Sequence, residues 1–122
     1  MLVDSHLHVW RSSENYPEPA ATTVSSYSDV SLELWLQYMD EYSIDRAVLV
    51  QPVYPGEDNS FVADCAASDS ARLAAVCVVD PSNPNAADQL EYWASERGCK
   101  GLRLRPRIMG EDTLFGAPTT YR

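Results

Sequence analysis

Residues 44–51 read Ile-Asp-Arg-Ala-Val-Leu-Val-Gln, and this short stretch decides the fold class. Its centre, residues 47–50, is a continuous apolar run. A strand without polar alternation is typical of a parallel sheet that is covered on both faces. Pro52, Pro55 and Gly56 follow the run and predict a loop. We therefore predict a buried strand here, with its carboxyl end at Gln51.

Helical and extended patterns alternate on both sides of this strand. Apolar spacings of three and four predict helices over residues 31–42, 59–70 and 85–97. Ser31, Asn59 and Asn85 are the expected N-caps of these helices. Further strands are predicted at residues 1–9, 73–79 and 101–105, and residues 11–30 read as a long loop. The order β-loop-α-β-α-β-α-β implies parallel strands, whose carboxyl ends are where ligand sites gather.

The first predicted strand contains the two histidines of the chain, His6 and His8. Because the side-chain period of a strand is two, both histidines point to one face, about 7 Å apart, with Asp4 in line behind them. Val3, Leu7 and Val9 are expected on the opposite face. Two imidazoles so placed can converge on one metal ion or one substrate group. We therefore predict a functional site at His6 and His8.

Other polar side chains are expected near the same end of the sheet. Arg103 lies on an inward face of the fourth strand, where a guanidinium is rare unless it is paired. Its partner is either a substrate carboxylate or oxyanion, or an inward acid such as Asp4. Gln51 and Tyr54 either bind a polar substrate or cap local backbone. Asp80 precedes a proline, a pattern that is typical of turns.

Composition excludes several classes of function. The chain has 122 residues, 18 acidic and 9 basic, and a formal charge of −9. Nucleic acids and anionic membranes both require a basic surface, so we expect neither as a partner. We find no signal peptide and no apolar run of the roughly 20 residues that span a bilayer. Cys65, Cys77 and Cys99 are expected to be buried, reduced thiols of a cytoplasmic protein that acts on a small molecule.

The first-strand sequence resembles the Asp-x-His-x-His motif of the amidohydrolase superfamily. Further matching pieces, in the order and spacing of its amidohydrolase-related branch, are residues 47–52 with Asn59, residues 78–81 and residues 100–104. This branch includes sugar and dicarboxylate lactonases. The resemblance implies a (β/α)8 TIM barrel of about 250 residues. Residues 1–122 would then be the N-terminal part of a single domain, about the first four βα units, which is a half-barrel.

The resemblance also implies a reaction. It indicates hydrolysis of a small polar lactone, or of a similar ester or amide bond. His6 and His8 would bind one divalent metal, zinc or manganese, or would contact substrate directly without metal. The family's later histidines and its general base, an aspartate on strand eight, lie beyond the four strands, so little or no activity is expected of these residues alone. The alternatives are a metal-dependent decarboxylase and a non-catalytic half-barrel that forms a homodimer through its open edges.

Overall fold

The structure is a computed structural model that describes residues 1–11, 30–52 and 58–104. Within these ranges four strands form one parallel sheet in the order β1-β2-β3-β4. The strands are β1 (Val3–Leu7), β2 (Arg46–Val50), β3 (Leu73–Val78) and β4 (Gly101–Arg103). The helices are α1 (Leu32–Glu41), α2 (Ser60–Ser68) and α3 (Ala86–Glu91), and α3 continues as a π-helical turn, Tyr92–Glu96. The predicted alternation of strands and helices is therefore confirmed, although all four strands are shorter than predicted and β2 ends at Val50 and not at Gln51.

The hydrophobic core lies between one face of the sheet and the helices. Leu49 of β2 and Cys77 of β3 are fully buried on this face, and Met39 of α1 and Val62 of α2 pack into the same cluster. Trp35 and Trp93 are partly buried against it, so their rings serve packing. The three cysteines are buried free thiols, as predicted. The opposite face of the sheet is therefore the one that remains available for a site.

Ser31 is a true N-cap, because its hydroxyl accepts a hydrogen bond from the Leu34 N–H at 3.2 Å. The predicted N-cap positions of Asn59 and Asn85 are confirmed, although their side chains do not act as caps. Both residues occupy the N-cap positions of their helices, yet neither side chain makes a capping hydrogen bond. At the other end of the third helical segment, Gly98 adopts φ of +71°, as expected for a glycine that ends a helix.

No helix in the described part of the chain combines the length and the apolar character that crossing a membrane requires.

Candidate functional site

The two histidines lie on the same side of β1, as the strand period predicts. Their ring centroids are 5.0 Å apart, and the rings meet edge to face at 82°. Leu7 and Val9, which alternate with them, are buried in the core. His6 is exposed and His8 is partly buried. The sheet therefore presents two adjacent imidazoles on the face that the helices do not cover.

His8 is anchored to the neighbouring strand. Its Nδ1 lies 2.7 Å from the carbonyl oxygen of Val50, at the carboxyl end of β2. A carbonyl can only accept, so Nδ1 carries the proton and donates it. In the neutral ring the lone pair is then on Nε2. The backbone of β2 thus fixes the tautomer of His8 and leaves Nε2 as the basic nitrogen.

Asp4 is not in line behind the histidines. The β1–β2 register pairs Asp4 with Ala47 and Leu7 with Leu49, so β1 has one extra residue between these pairs. The Asp4 carboxylate accepts a hydrogen bond from the His6 N–H at 2.9 Å, within this irregular segment. Asp4 therefore supports the backbone that presents His6, and the simple alternation assumed from the sequence is wrong at this residue.

The sheet opens between β2 and β3 just beyond Val50. The Gln51 N–H still donates to the Val76 carbonyl at 2.9 Å. In a continued parallel ladder the Val78 N–H would next donate to the Gln51 carbonyl. Instead the Gln51 carbonyl accepts from Nη1 of Arg103, also at 2.9 Å. Arg103 lies opposite Val78 on β4, so its guanidinium reaches across β3 to the end of β2.

Asn59 fills the other half of this opening, and sequence reasoning missed that role. Its Nδ2 donates to the Val78 carbonyl at 2.9 Å, and its Oδ1 accepts from the Val78 N–H at 2.7 Å. The side-chain amide of Asn59, which is fully buried, thereby replaces the next residue of β2. Pro52 occupies that part of the chain and ends the strand. A proline after a strand, followed by an asparagine at a helix start, was the available signal.

The remaining candidate residues have local roles or lie outside the described ranges. The Gln51 side chain is buried, and its Nε2 donates to the Asp58 carbonyl at 2.9 Å, so it links the end of β2 to the residues that lead into α2. Tyr54 lies outside the described residues. Asp80 accepts from the N–H and hydroxyl of Ser82, the turn-forming arrangement expected before a proline. Substrate contacts by Gln51, Tyr54 and Arg103 stay predictions.

The histidine pair fits a divalent metal in part. Two imidazoles on one tetrahedral zinc have ring centroids roughly 5 Å apart, given Zn–N distances of about 2.0–2.1 Å. The observed separation of 5.0 Å matches this requirement. Among the described residues no group of three histidine, cysteine, aspartate or glutamate side chains gathers around a common point. A catalytic zinc takes three protein ligands, so within the described part of the chain His6 and His8 stay two candidate ligands of an incomplete set.

An open cavity of about 390 Å³ lies elsewhere, at the third helical segment. It is lined by Val78, Asp88, Gln89, Tyr92 and Trp93. None of the predicted site residues lines it. The candidate site is thus a surface of convergent polar groups at the carboxyl ends of β1 and β2, with the Arg103 side chain directed to the same place.

Comparison with known proteins defines the family. The amidohydrolase family model matches residues 3–121, almost the whole chain. The chain therefore belongs to the amidohydrolase family. No curated protein sequence matches it significantly.

Solved structures define the architecture. A probable 2-pyrone-4,6-dicarboxylic acid hydrolase from Acinetobacter baumannii, solved with citric acid bound, is 21% identical, with a TM-score of 0.75 over 98% of this chain and 42% of that protein. A Pseudomonas putida protein assigned the same activity is 25% identical, with a TM-score of 0.62 over 84% of this chain and 36% of that protein. The chain thus spans less than half the length of either protein. The four strands form about half of a TIM barrel, as predicted.

Proposed function

We propose that this chain carries part of the active site of a hydrolase that opens a small lactone bearing carboxylate groups. One observation carries the proposal: His8 and Arg103 are both held by consecutive carbonyls, those of Val50 and Gln51. A base and a cation are thereby fixed at one strand end. The family membership supports hydrolysis, and the names of the two similar structures support a dicarboxylated lactone, because a pyrone is a cyclic ester.

The two anchored side chains have complementary roles in this reaction. The Arg103 guanidinium has five N–H donors, of which the Gln51 carbonyl takes one. Its planar fork suits bidentate binding of a substrate carboxylate. The Nε2 of His8 can accept a hydrogen bond from water and orient it toward the lactone carbonyl. Arg103 therefore positions the substrate and His8 positions the attacking water.

The alternative is a divalent ion, which would have His6 and the Nε2 of His8 as ligands and would polarise the lactone carbonyl and activate water in place of the direct contact between His8 and water. The general base is not assigned among the described residues. We therefore propose that the 122-residue polypeptide by itself binds the lactone but hydrolyses it slowly or not at all. Rapid hydrolysis by the purified polypeptide would contradict this part of the proposal.

Isothermal titration calorimetry with 2-pyrone-4,6-dicarboxylate tests the binding role. Arg103→Gln should weaken binding roughly 10- to 100-fold, since hydrogen bonds to charged groups contribute about 1.5–3 kcal/mol. Arg72→Gln is the matched control, because Arg72 pairs with Asp40 on the helix side. A lactone without carboxylates should bind weakly to all three proteins. Equal effects of the two arginine substitutions would overturn the proposal.

A further inference from the structure

Two backbone groups that a continued ladder would join have separate side-chain partners at the opening between β2 and β3. The Gln51 N–H donates to the Val76 carbonyl, so the next ladder bond would run from the Val78 N–H to the Gln51 carbonyl. Instead Asn59 accepts from the Val78 N–H at 2.7 Å, and Arg103 donates to the Gln51 carbonyl at 2.9 Å. Asn59 and Arg103 therefore occupy the two halves of one backbone bond that the sheet does not make.

The Asn59 side chain is held in a fixed position. It is fully buried, and its amide is bonded at both ends, since Nδ2 donates to the Val78 carbonyl while Oδ1 accepts from the Val78 N–H. The Asn59 carbonyl accepts from the Ala63 N–H at 3.0 Å in the first turn of α2. The side chain makes no capping bond to this helix, although asparagine is a favoured N-cap. The amide thus serves the sheet and not the helix.

The bond from Val78 to Asn59 keeps the Gln51 carbonyl available to a donor from outside the ladder. A buried N–H without a partner costs free energy comparable to a lost hydrogen bond. Without the Asn59 oxygen, the Val78 N–H would turn to the acceptor that the ladder offers, which is the Gln51 carbonyl. Arg103 lies opposite Val78 on β4, so extension of the ladder competes with the reach of the guanidinium across β3. The position of Arg103 therefore depends on Asn59.

A guanidinium that is held before the substrate arrives binds an anion more tightly than a free one. An arginine side chain has several rotatable bonds, and fixing them on binding opposes association. The Gln51 carbonyl takes one of the five N–H donors of Arg103. The bond thus restrains the side chain and leaves donors of the planar fork for a carboxylate.

We propose that Asn59 is a positioning residue for carboxylate binding: it holds Val78 apart from Gln51 and thereby keeps Arg103 fixed at the end of β2. Asn59 acts through Arg103. The last step, binding of a substrate carboxylate by Arg103, rests on the proposed function. The preceding step, fixation of the guanidinium by way of Asn59, does not rest on it, so the two steps can fail separately.

Nuclear magnetic resonance of the arginine guanidinium groups tests the first step without any ligand. A hydrogen-bonded Nη1 rotates slowly about its bond to Cζ, so Arg103 should give resolved Nη proton signals, which Arg103→Gln assigns by their loss. Asn59→Ala should merge these signals into the averaged signal of a freely rotating group. Asn59→Leu removes the same two bonds but fills a similar volume, so it decides if Asn59→Ala does not fold. Resolved Arg103 signals in the folded Asn59 variant would overturn the proposal.

Two further variants separate positioning from a general loss of stability. Val62→Ala removes buried core volume three residues along the same helix, so it lowers stability without touching the opening. Asn59→Asp keeps an oxygen that accepts from the Val78 N–H. Both variants should leave the Arg103 signals resolved. Merged signals in Val62→Ala would overturn the proposal, because Arg103 would then respond to any destabilisation of the fold.

Calorimetric titration with 2-pyrone-4,6-dicarboxylate tests the step that involves the ligand. Asn59→Ala should weaken binding roughly 5- to 50-fold, within the range of coupling inside one hydrogen-bond network, and Val62→Ala less than about twofold. In a protein that already carries Arg103→Gln, Asn59→Ala should change the affinity less than about twofold. A full additive loss in the double variant would overturn the proposal, because Asn59 would then act by another route. If Arg103→Gln alone leaves binding unchanged while Asn59→Ala still merges the Arg103 signals, the lactonase proposal fails and the positioning of Arg103 by Asn59 stands.

Discussion

The Nδ1 of His8 donates to the carbonyl of Val50 at 2.7 Å, and this bond joins the histidine pair to the strand that carries the rest of the site. The adjacent carbonyl, that of Gln51, accepts from Arg103. Consecutive carbonyls of a strand point in opposite directions, one toward β1 and one toward β3. The end of β2 therefore orients the His8 imidazole, which follows β1, and the Arg103 guanidinium, which reaches across β3 from β4.

The histidine pair should bind zinc, and Asp4 should not contribute. Replacement of His6 or His8 by alanine should lower the zinc affinity more than about tenfold, since even outer partners of a metal site contribute 10- to 100-fold. Asp4→Asn should leave the affinity nearly unchanged, because the Asp4 carboxylate serves the His6 backbone. Calorimetric titration of each folded variant with zinc measures these effects. A large loss in Asp4→Asn would show that Asp4 is itself a ligand.

Asn59 should contribute strongly to stability. Asn59→Ala leaves the buried N–H and carbonyl of Val78 without their side-chain partners. Each unsatisfied buried group costs about 1–3 kcal/mol, so we expect a loss of roughly 2–4 kcal/mol in the free energy of unfolding. Urea denaturation provides the measurement. Asn85→Ala is the matched control and should cost less than about 0.5 kcal/mol, because Asn85 makes no capping bond and lies on the surface. Equal losses of stability in the two variants would show that the Asn59 amide does not replace the next residue of β2 as the partner of Val78.

The fold could be predicted because its signals are local. The apolar run of β2 and the three- and four-residue spacings in α1 depend only on neighbours in sequence. The hydroxyl of Ser31 likewise caps the helix that begins at the next residue, through the N–H of Leu34 three positions along the chain. The alternation of such segments then restricts the topology to parallel strands with crossovers.

The details of the site could not be predicted, because the side chains that form it bind backbone groups that are distant in the sequence. Asn59 is a suitable N-cap by residue type, but the two open groups of Val78 bind its amide instead. Arg103 was expected to face an acid or a substrate, because sequence reasoning considers side chains as partners and not the Gln51 carbonyl. The irregularity in β1 has no marker in its alternating sequence, which is why the position of Asp4 was wrong.

Ser31 should stabilise α1 by an amount typical of an N-cap. Ser31→Ala removes the acceptor for the Leu34 N–H and should lower the free energy of unfolding by about 1 kcal/mol. Ser31→Asp keeps an acceptor at the cap and should retain most of the stability. Thermal denaturation of the three proteins tests this order. A loss of the same size in Ser31→Asp would show that the effect does not come from the cap.

Cys65 should make the protein less stable as the solution becomes alkaline. Burial, aided by the charges of Glu33 and Asp64, raises the pKa of the Cys65 thiol from 9.0 to about 12. The thiol of the unfolded chain ionises near pH 9, so unfolding releases a proton between the two values. The stability that the neutral thiol provides is therefore complete below about pH 9 and is lost as the pH rises toward 12, by about 1 kcal/mol near pH 10. Cys65→Ser lacks this titration, so its free energy of unfolding should fall less steeply from pH 8 to pH 10. Subtracting the free energies of unfolding of the two proteins at each pH removes the contribution of the other titrating groups. Parallel curves of this free energy against pH would show that the Cys65 thiol ionises equally in the folded and unfolded states.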